Sequence, residues 1–430
     1  MAKVVLGFQL ALVGLFAFLW NPLDFFIYRL GGQVVGDGTR LYLEQQAAHW
    51  FTYTPFAVVS FIPLSWVPLV PARVLWELAS VGAFAVACRG LPRWVLVGGL
   101  CLEPVWHSLF LGQINLILLA LVVIDFRRTG RFSGVGVGIA AAIKLTPGIF
   151  VVLLLAAGRV RAAVVAGATF AAATAVGFLV APEASVVYWR DTFYDTTRVG
   201  VPYVSNQSPY GALVRVFGSV GEWYLVVPLV LGVAGVLVAA VYARRGDRLG
   251  ALAAGGLTSL LVSPISWSHH WVWALPALVV LWRDGRRRGA VLAGVVFALA
   301  PMWATRLVER PGSLWGLVPY LVIGDTYLLV GLALLGVLGW TALRPGTAGG
   351  TGALLPLGQE APPDSPGGAA VTSSMRYLAT ASAATDASIS PRWARARRVA
   401  TAIDSASTLK WRRRAWRVSE APKPSVPSDV

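Results

Sequence analysis

Between residues 4 and 343 the chain is a succession of apolar blocks with almost no charge inside them. No other feature constrains folding as strongly. A backbone placed in lipid must satisfy its N–H and C=O groups within the segment, and helices do so. Composition agrees, with 57% hydrophobic and 13% charged residues, where a soluble domain carries about 25% charged. The expected fold class is an all-α polytopic membrane protein with about 10–12 transmembrane helices, since each span needs roughly 20 residues.

The net charge of +16 does not read as nucleic-acid binding. The basic residues form short clusters between apolar blocks, as the positive-inside rule writes topology. Arg89/Arg93, Arg127/Arg128/Arg131, Arg159/Arg161, Arg244/Arg245/Arg248 and Arg283/Arg286/Arg287/Arg288 are expected in the cytoplasm. Segments 21–50, 182–222 and 306–318 carry mixed charge and are expected outside. Spans are expected near 4–20, 72–88, 94–109, 114–126, 162–181, 223–243, 249–267, 269–282, 289–305 and 319–343. Met1–Trp20 lacks a small-residue cleavage site and runs into Asn21-Pro22, so it reads as a retained first span with a cytoplasmic N-terminus. Two stretches do not fit a simple count. Residues 55–68, bounded by Pro55 and Pro68 with Pro63 inside, read as an interfacial or re-entrant helix. Residues 134–157 lie between two arginine clusters and must enter and return, with Lys144-Leu145-Thr146-Pro147 at the buried tip.

Composition divides the chain into a membrane domain, 1–344, and a Gly/Pro/Ser/Ala/Thr-rich segment, 345–430, expected to be a disordered cytoplasmic tail. Within it, 392–417 holds nine Arg/Lys and three Trp against one acid, Asp404. A basic, Trp-bearing stretch of this kind fits adhesion to anionic membrane lipid. The two cysteines, Cys88 and Cys101, offer neither a disulfide framework nor metal spacing.

Familiar soluble sites are missing from the sequence. There is no phosphate-loop motif, no H-E-x-x-H and no Asp-x-Asp, so neither a cofactor nor a metal is expected. Polar groups gather instead at the outer ends of the spans. Asp24 follows the first span between Leu23 and Phe25, where desolvation raises basicity. In a helix it shares a face with Tyr28 at i, i+4. Phe51-Thr52-Tyr53-Thr54-Pro55 opens the proline-bounded segment, and Gly112-Gln113-Ile114-Asn115 forms an outer turn. Lys144 is an intramembrane cation, costly unless functional. Asn206-Gln207-Ser208 lies in the largest outer loop with Arg215 beyond it, and Ser263-Pro264-Ile265-Ser266-Trp267-Ser268-His269-His270 forms another outer turn.

Together, in this order and spacing across about 250 residues, these six blocks resemble the family 87 glycosyltransferases, polyprenyl-phosphate-mannose-using enzymes common in actinobacterial envelope synthesis. The resemblance implies a GT-C fold, a bundle of spans with an outer-face active site in the cell membrane. It implies Asp24 as catalytic base and the His269-His270 pair as active-site groups. Tyr28, Lys144, Arg215, His269 and His270 are then expected around the donor's phosphate and sugar, with Tyr53, Gln113, Asn115, Asn206, Gln207 and Ser266 in support. Two features depart from the family pattern: the outer loop after Asp24 is short, and Glu103 sits in a span where a neutral residue is expected.

The implied partners are polyprenyl-phosphate-mannose and a glycolipid or polysaccharide acceptor. A lipid phosphate is already a good leaving group, so one carboxylate suffices, deprotonating the acceptor hydroxyl in a single inverting displacement. Hydrolysis of an ordinary glycoside, with its poor leaving group, needs two. Tyr188, Trp189, Phe193, Tyr194, Tyr203 and Tyr210 crowd the largest outer loop, as sugar platforms or an interfacial aromatic belt. An arabinofuranosyltransferase of the same family is the alternative within the class. Outside it stand a lipid or polyol transporter, which calls for paired broken helices, and a non-catalytic scaffold.

Overall fold

The computed structural model describes residues 2–344, and among these the chain is helical with no named strand. The expectations for the tail, including 392–417, lie outside the described residues. Among the described residues, five helices are long and apolar enough to cross a membrane: Leu69–Ala87, Val160–Val180, Glu222–Arg244, Arg287–Arg306 and Thr326–Leu343. A sixth candidate is the pair Arg93–Gly99 and Glu103–Leu111, bent by 61°. Only 17% of the Glu222–Arg244 window is buried although its mean hydropathy is 2.6. Apolar side chains such as Leu229 and Val230 face outward, as a lipid-facing helix requires and a soluble one avoids.

The 10–12 regular spans expected from the sequence are not all present as full-length helices. The expected span at 114–126 is Asn115–Arg127, and 249–267 is Arg248–Val262 followed by extended chain. The expected 269–282 span is a 3-10 turn, Ser268–Trp273, leading into Ala274–Arg283. At about 1.5 Å per residue these helices are roughly 15–23 Å long, short of a bilayer core of about 30 Å. Apolar composition marked them correctly as interior, since Leu249 through Leu261 are buried all round. It could not show that polar turns cut them short.

Those turns converge at one end of the bundle. The segment after Arg131 enters as Val135–Ile143, turns through Lys144 and Thr146–Gly148, and returns as Ile149–Ala156. Its start is pinned by Asp125, whose carboxylate accepts from the N–H groups of Gly134 (2.7 Å) and Val137 (2.9 Å). Gly134, at φ 109°, permits the contact with Val160–Val180, because a Cβ there would lie 2.0 Å from the Ala162 carbonyl oxygen. The tip meets Asn115 at the opposite end of Asn115–Arg127. Residues 55–68 form a helix, Pro55–Trp66, capped by Thr54 and packed on Leu23–Val34.

The other end belongs to the arginines. Arg127 donates to the carbonyls of Val86, Ala87 and Arg89, Arg159 to that of Arg128, and Arg248 to that of Arg127. Arg283 pairs with Asp247 (2.6 Å). The basic clusters therefore close helix C-termini and interhelical turns on one face, opposite the polar turns.

Candidate active site

The site is assembled from five short stretches. Leu23–Val34 begins directly after Asn21-Pro22, which puts Asp24 in its first turn and Tyr28 one turn on. Tyr28 Oη lies 2.7 Å from Tyr53 Oη, and both hydroxyls donate to Gln113 Oε1, at 3.0 and 2.7 Å. With its carbonyl so occupied, the Gln113 amide nitrogen is the group left for Asp24, to which Gln113 is hydrogen-bonded. Gly112 makes this approach possible. Its φ is 66°, and a Cβ there would lie 2.6 Å from Phe25 Cβ and 2.9 Å from Pro22 Cβ. The turn is also fixed by Trp76, whose indole N–H donates to the Gly112 carbonyl at 2.7 Å.

Lys144 faces this corner from the re-entrant tip. Its Nζ lies 3.2 Å from Asn115 Oδ1, 2.7 Å from His270 Nε2 and 5.3 Å from the centroid of the Tyr53 ring. A hydrogen bond between His270 and the Ile265 backbone leaves Nε2 as the acceptor from the lysine. His269 differs from its neighbour. Its carbonyl accepts from Ser108 Oγ (3.1 Å) and Asn115 Nδ2 (3.0 Å), while both ring nitrogens are buried without a partner. A small cavity adjoins these groups, lined by Lys144, His270, Asn115, Thr146, Ser259 and Ser266 over an apolar floor of Leu118, Leu260 and Trp273.

These groups lie in turns and short segments outside the long spanning helices, and burial dominates their electrostatics. Burial raises the Asp24 carboxyl above its ordinary range, opposed by the Gln113 hydrogen bond and then by the charges of Lys144, His49 and His107. Lys144 is pushed down to about 7 by burial, with Asp24 pulling the other way. His269 and His270 are held neutral, first by burial and then by neighbouring positive charge. The result is a half-buried base in the same corner as a half-buried cation whose charge is adjustable near neutral pH, with two neutral imidazoles at hand. A phosphate entering here would meet donors that it helps to ionise.

The remaining sequence candidates build the loop around the site. Asn206 Nδ2 donates to the carbonyls of Val201 (3.0 Å) and Pro264 (3.2 Å), and its Oδ1 accepts from the Ser266 N–H (2.9 Å). Gln207 bridges Gly324 and the Tyr327 N–H, and Ser266 Oγ donates to the Leu260 carbonyl. Arg215, expected at the phosphate, is engaged elsewhere. It pairs with Asp325 and donates to the carbonyls of Tyr203 and Asn206. A 9-residue helix, Pro209–Phe217, carries it into this buried lock. Of the loop aromatics, Tyr188 is buried against Tyr42 and Trp189, and Tyr210 stacks on Tyr224. Tyr203 alone of that group joins a ring cluster next to the histidines.

One group was misjudged from the sequence. Glu103, read only as an acid out of place, is fully buried and accepts from four partners. These are His107 Nδ1 (2.8 Å), Ser268 Oγ (2.8 Å), Trp303 Nε1 (3.1 Å) and Tyr327 Oη (3.1 Å). The His107 ring packs edge to face with His269 at 5.6 Å. The signal was present as a Glu–His pair at i, i+4 inside an apolar block.

Residues 51–264 match the sequence profile of Glycosyltransferase family 87. The chain is 34% identical over 320 residues to a polyprenol-phosphate-mannose-dependent alpha-(1-2)-phosphatidylinositol mannoside mannosyltransferase of Mycobacterium tuberculosis, covering 64% of this chain and 74% of that one. It is 33% identical over 305 residues to a protein of the same name from Mycolicibacterium smegmatis, covering 60% and 69%. A Mycobacterium tuberculosis polyprenol-phosphate-mannose-dependent alpha-(1-2)-phosphatidylinositol pentamannoside mannosyltransferase is 34% identical over 322 residues, covering 68% and 73%. No solved structure matches the chain.

Proposed function

The chain belongs to glycosyltransferase family 87, and on that premise we propose that it moves a mannosyl residue from a polyprenyl-phosphate carrier to a mannoside-bearing lipid or envelope glycan. The observation that carries this reading is one polar corner where Gln113 joins Asp24 to the Tyr28 and Tyr53 hydroxyls, with the Lys144 ammonium 5.3 Å from the Tyr53 ring and held by Asn115 and His270. The relatives' names, which specify a polyprenol-phosphate-mannose donor and an alpha-(1-2) product, support the donor and the linkage type.

The step is a single displacement. The acceptor hydroxyl gives its proton to the Asp24 carboxylate as its oxygen bonds to the anomeric carbon, and the bond from that carbon to the phosphate oxygen breaks. The polyprenyl phosphate leaves with the electron pair, and Asp24 later loses the proton to water. Backside attack inverts the anomeric centre, so a β-linked donor yields an α-mannoside. Lys144, held by Asn115 and His270, neutralises the developing phosphate charge. His269 offers the donor its unpartnered ring nitrogens. Desolvation makes Asp24 a better base and strengthens each of these contacts. Gln113 and the two tyrosines orient the carboxylate.

The arginine-bearing face is the cytoplasmic one, with both ends of the described chain, Ala2 and Arg344, on that side, and the site faces the opposite, extracytoplasmic side. The direct test supplies labelled polyprenyl-phosphate-mannose to membranes containing the protein and identifies the labelled product. Label appearing as an α-mannoside on lipid or glycan is expected. Incorporation no greater than in membranes lacking the protein would overturn the reading.

A further inference from the structure

We propose that the rings of Trp303, Tyr203 and Trp267, together with His107 and Arg306, form a subsite for a sugar ring of the acceptor, on the far side of His269 from Lys144. The proposal rests on the glycosyltransferase reading and adds to it where the acceptor glycan is held.

Four observations converge on this place. First, the rings form a continuous half-exposed surface. Tyr203 lies 6.1 Å from Trp267 and 6.1 Å from Trp303, and Trp303 lies 5.6 Å from His107. Sugars present flat C–H faces that stack on such rings, while lipid tails need no such arrangement. Second, the platform is fixed from beneath. Trp303 Nε1 donates to the buried Glu103, and the same carboxylate oxygen accepts from His107 Nδ1. A carboxylate only accepts, so the His107 ring turns an Nδ1 proton toward Glu103 and leaves its Nε2 edge to face a hydroxyl. Its side chain is 13% exposed, enough to be reached from the open side. Third, Arg306 lies over both Tyr203 (5.7 Å) and Trp303 (5.8 Å). Among the described residues it has no carboxylate partner, and beyond its hydrogen bond to the Tyr203 hydroxyl its other N–H groups remain for hydroxyls at the edge of the platform. Fourth, the order of groups suits a transfer. His269 packs against His270 on one side (4.7 Å) and His107 on the other (5.6 Å). The rings therefore run without a gap from the phosphate side, where His270 holds Lys144, to the polyol side at His107 and Trp303.

Steady-state transfer to octyl α-mannoside, with protein in lipid nanodiscs, tests the subsite. Tyr203→Ala and Arg306→Gln alter exposed side chains, and Trp303→Leu removes the central ring. Each is expected to raise the KM for octyl α-mannoside by roughly three- to tenfold, the scale of a lost ring contact, with the donor KM unchanged. An acceptor KM unchanged in all three would overturn the proposal. So would an effect that appears only as altered dependence on anionic lipid, which would make the platform an interfacial belt. Equilibrium binding of labelled octyl α-mannoside to the nanodiscs is measured alongside. If the parent bound it through Tyr203 yet transferred no mannose, the subsite would stand and the proposed function would fall. Transfer with mannoside binding indifferent to Tyr203 would do the reverse.

Discussion

Lys144 Nζ lies 2.7 Å from His270 Nε2, so the histidine holds the lysine rather than standing beside it as a second independent cation. This bears on how the donor phosphate is recognised. Lys144→Ala is expected to weaken donor binding by roughly ten- to a hundredfold, the cost of a charge-assisted contact of about 1.5–3 kcal/mol. His270→Ala should show a smaller loss of the same kind, and in a Lys144→Ala background it should add little. Donor affinities across this double-mutant cycle check the point. Fully additive losses would make His270 a phosphate ligand in its own right.

Asp24→Asn keeps the shape of the side chain and its hydrogen bonding with Gln113, but it cannot take the acceptor's proton. Transfer should fall by about 10²–10⁴-fold, the usual worth of general-base assistance. Donor binding should persist or tighten, since a negative charge has left the neighbourhood of a phosphate. Turnover and donor affinity measured on the same preparation separate the two. Full activity in this variant would remove Asp24 from the mechanism.

The same pair sets the pH dependence. Asp24 serves as a base only when ionised, and burial raises its pKa, so kcat/KM for the donor should climb with pH on the acid side. Lys144, pushed down to about 7, loses its charge as the pH rises through that value, so kcat/KM should decline above neutrality. A bound phosphate favours the ammonium form and should move the decline in kcat to higher pH. Lys144→Arg keeps its charge throughout and should lift the alkaline limb of kcat/KM. If the parent and the arginine variant decline at the same pH, the limb does not belong to Lys144.

Sidedness is open to chemical labelling. Tyr194 is 63% exposed on the loop near the site end, and Arg287 lies at the arginine-bearing end. In a background with Cys101 replaced by Ser, a cysteine at 194 should react with an impermeant thiol reagent added to intact cells. A cysteine at 287 should react only after lysis. The reverse pattern would turn the site toward the cytoplasm.

Much of this architecture is legible in the sequence because its causes are local. Apolar blocks marked the helices, and arginines between them marked a common end, where Arg127 and Arg248 close the C-termini of neighbouring helices. Lys144 was legible because a cation between two arginine clusters leaves the chain no route but in and out. The lengths of the inner helices were not, because Arg248–Val262 is stopped by the turn at 263–273, whose hydrogen bonds come from residues 205 to 207. Glu103 was misjudged for the same reason. Its partners Ser268, Trp303 and Tyr327 are 165, 200 and 224 positions away, and only His107 lies within one turn.

Arg215 shows how distance in sequence conceals a role, and it yields the last prediction. As a basic residue in the outer loop it reads as a phosphate ligand, but its partner, Asp325, is 110 positions away. Both are largely buried, with side-chain exposures of 9% each. Arg215→Met strands the Asp325 carboxylate and removes the donors to the Tyr203 and Asn206 carbonyls. Breaking one side of a buried pair costs about 3–5 kcal/mol, whereas replacing both sides with apolar groups is often near neutral. The single variant should therefore lose stability and accumulate poorly in membranes, and Arg215→Met with Asp325→Leu should recover much of that loss. Thermal unfolding of the three proteins in detergent measures it. Per folded molecule, the donor KM should stay at the parental value in the double variant, because nothing facing Lys144 has changed. A single variant of parental stability whose donor KM rises tenfold would return Arg215 to the phosphate and leave Asp325 as its orienting partner.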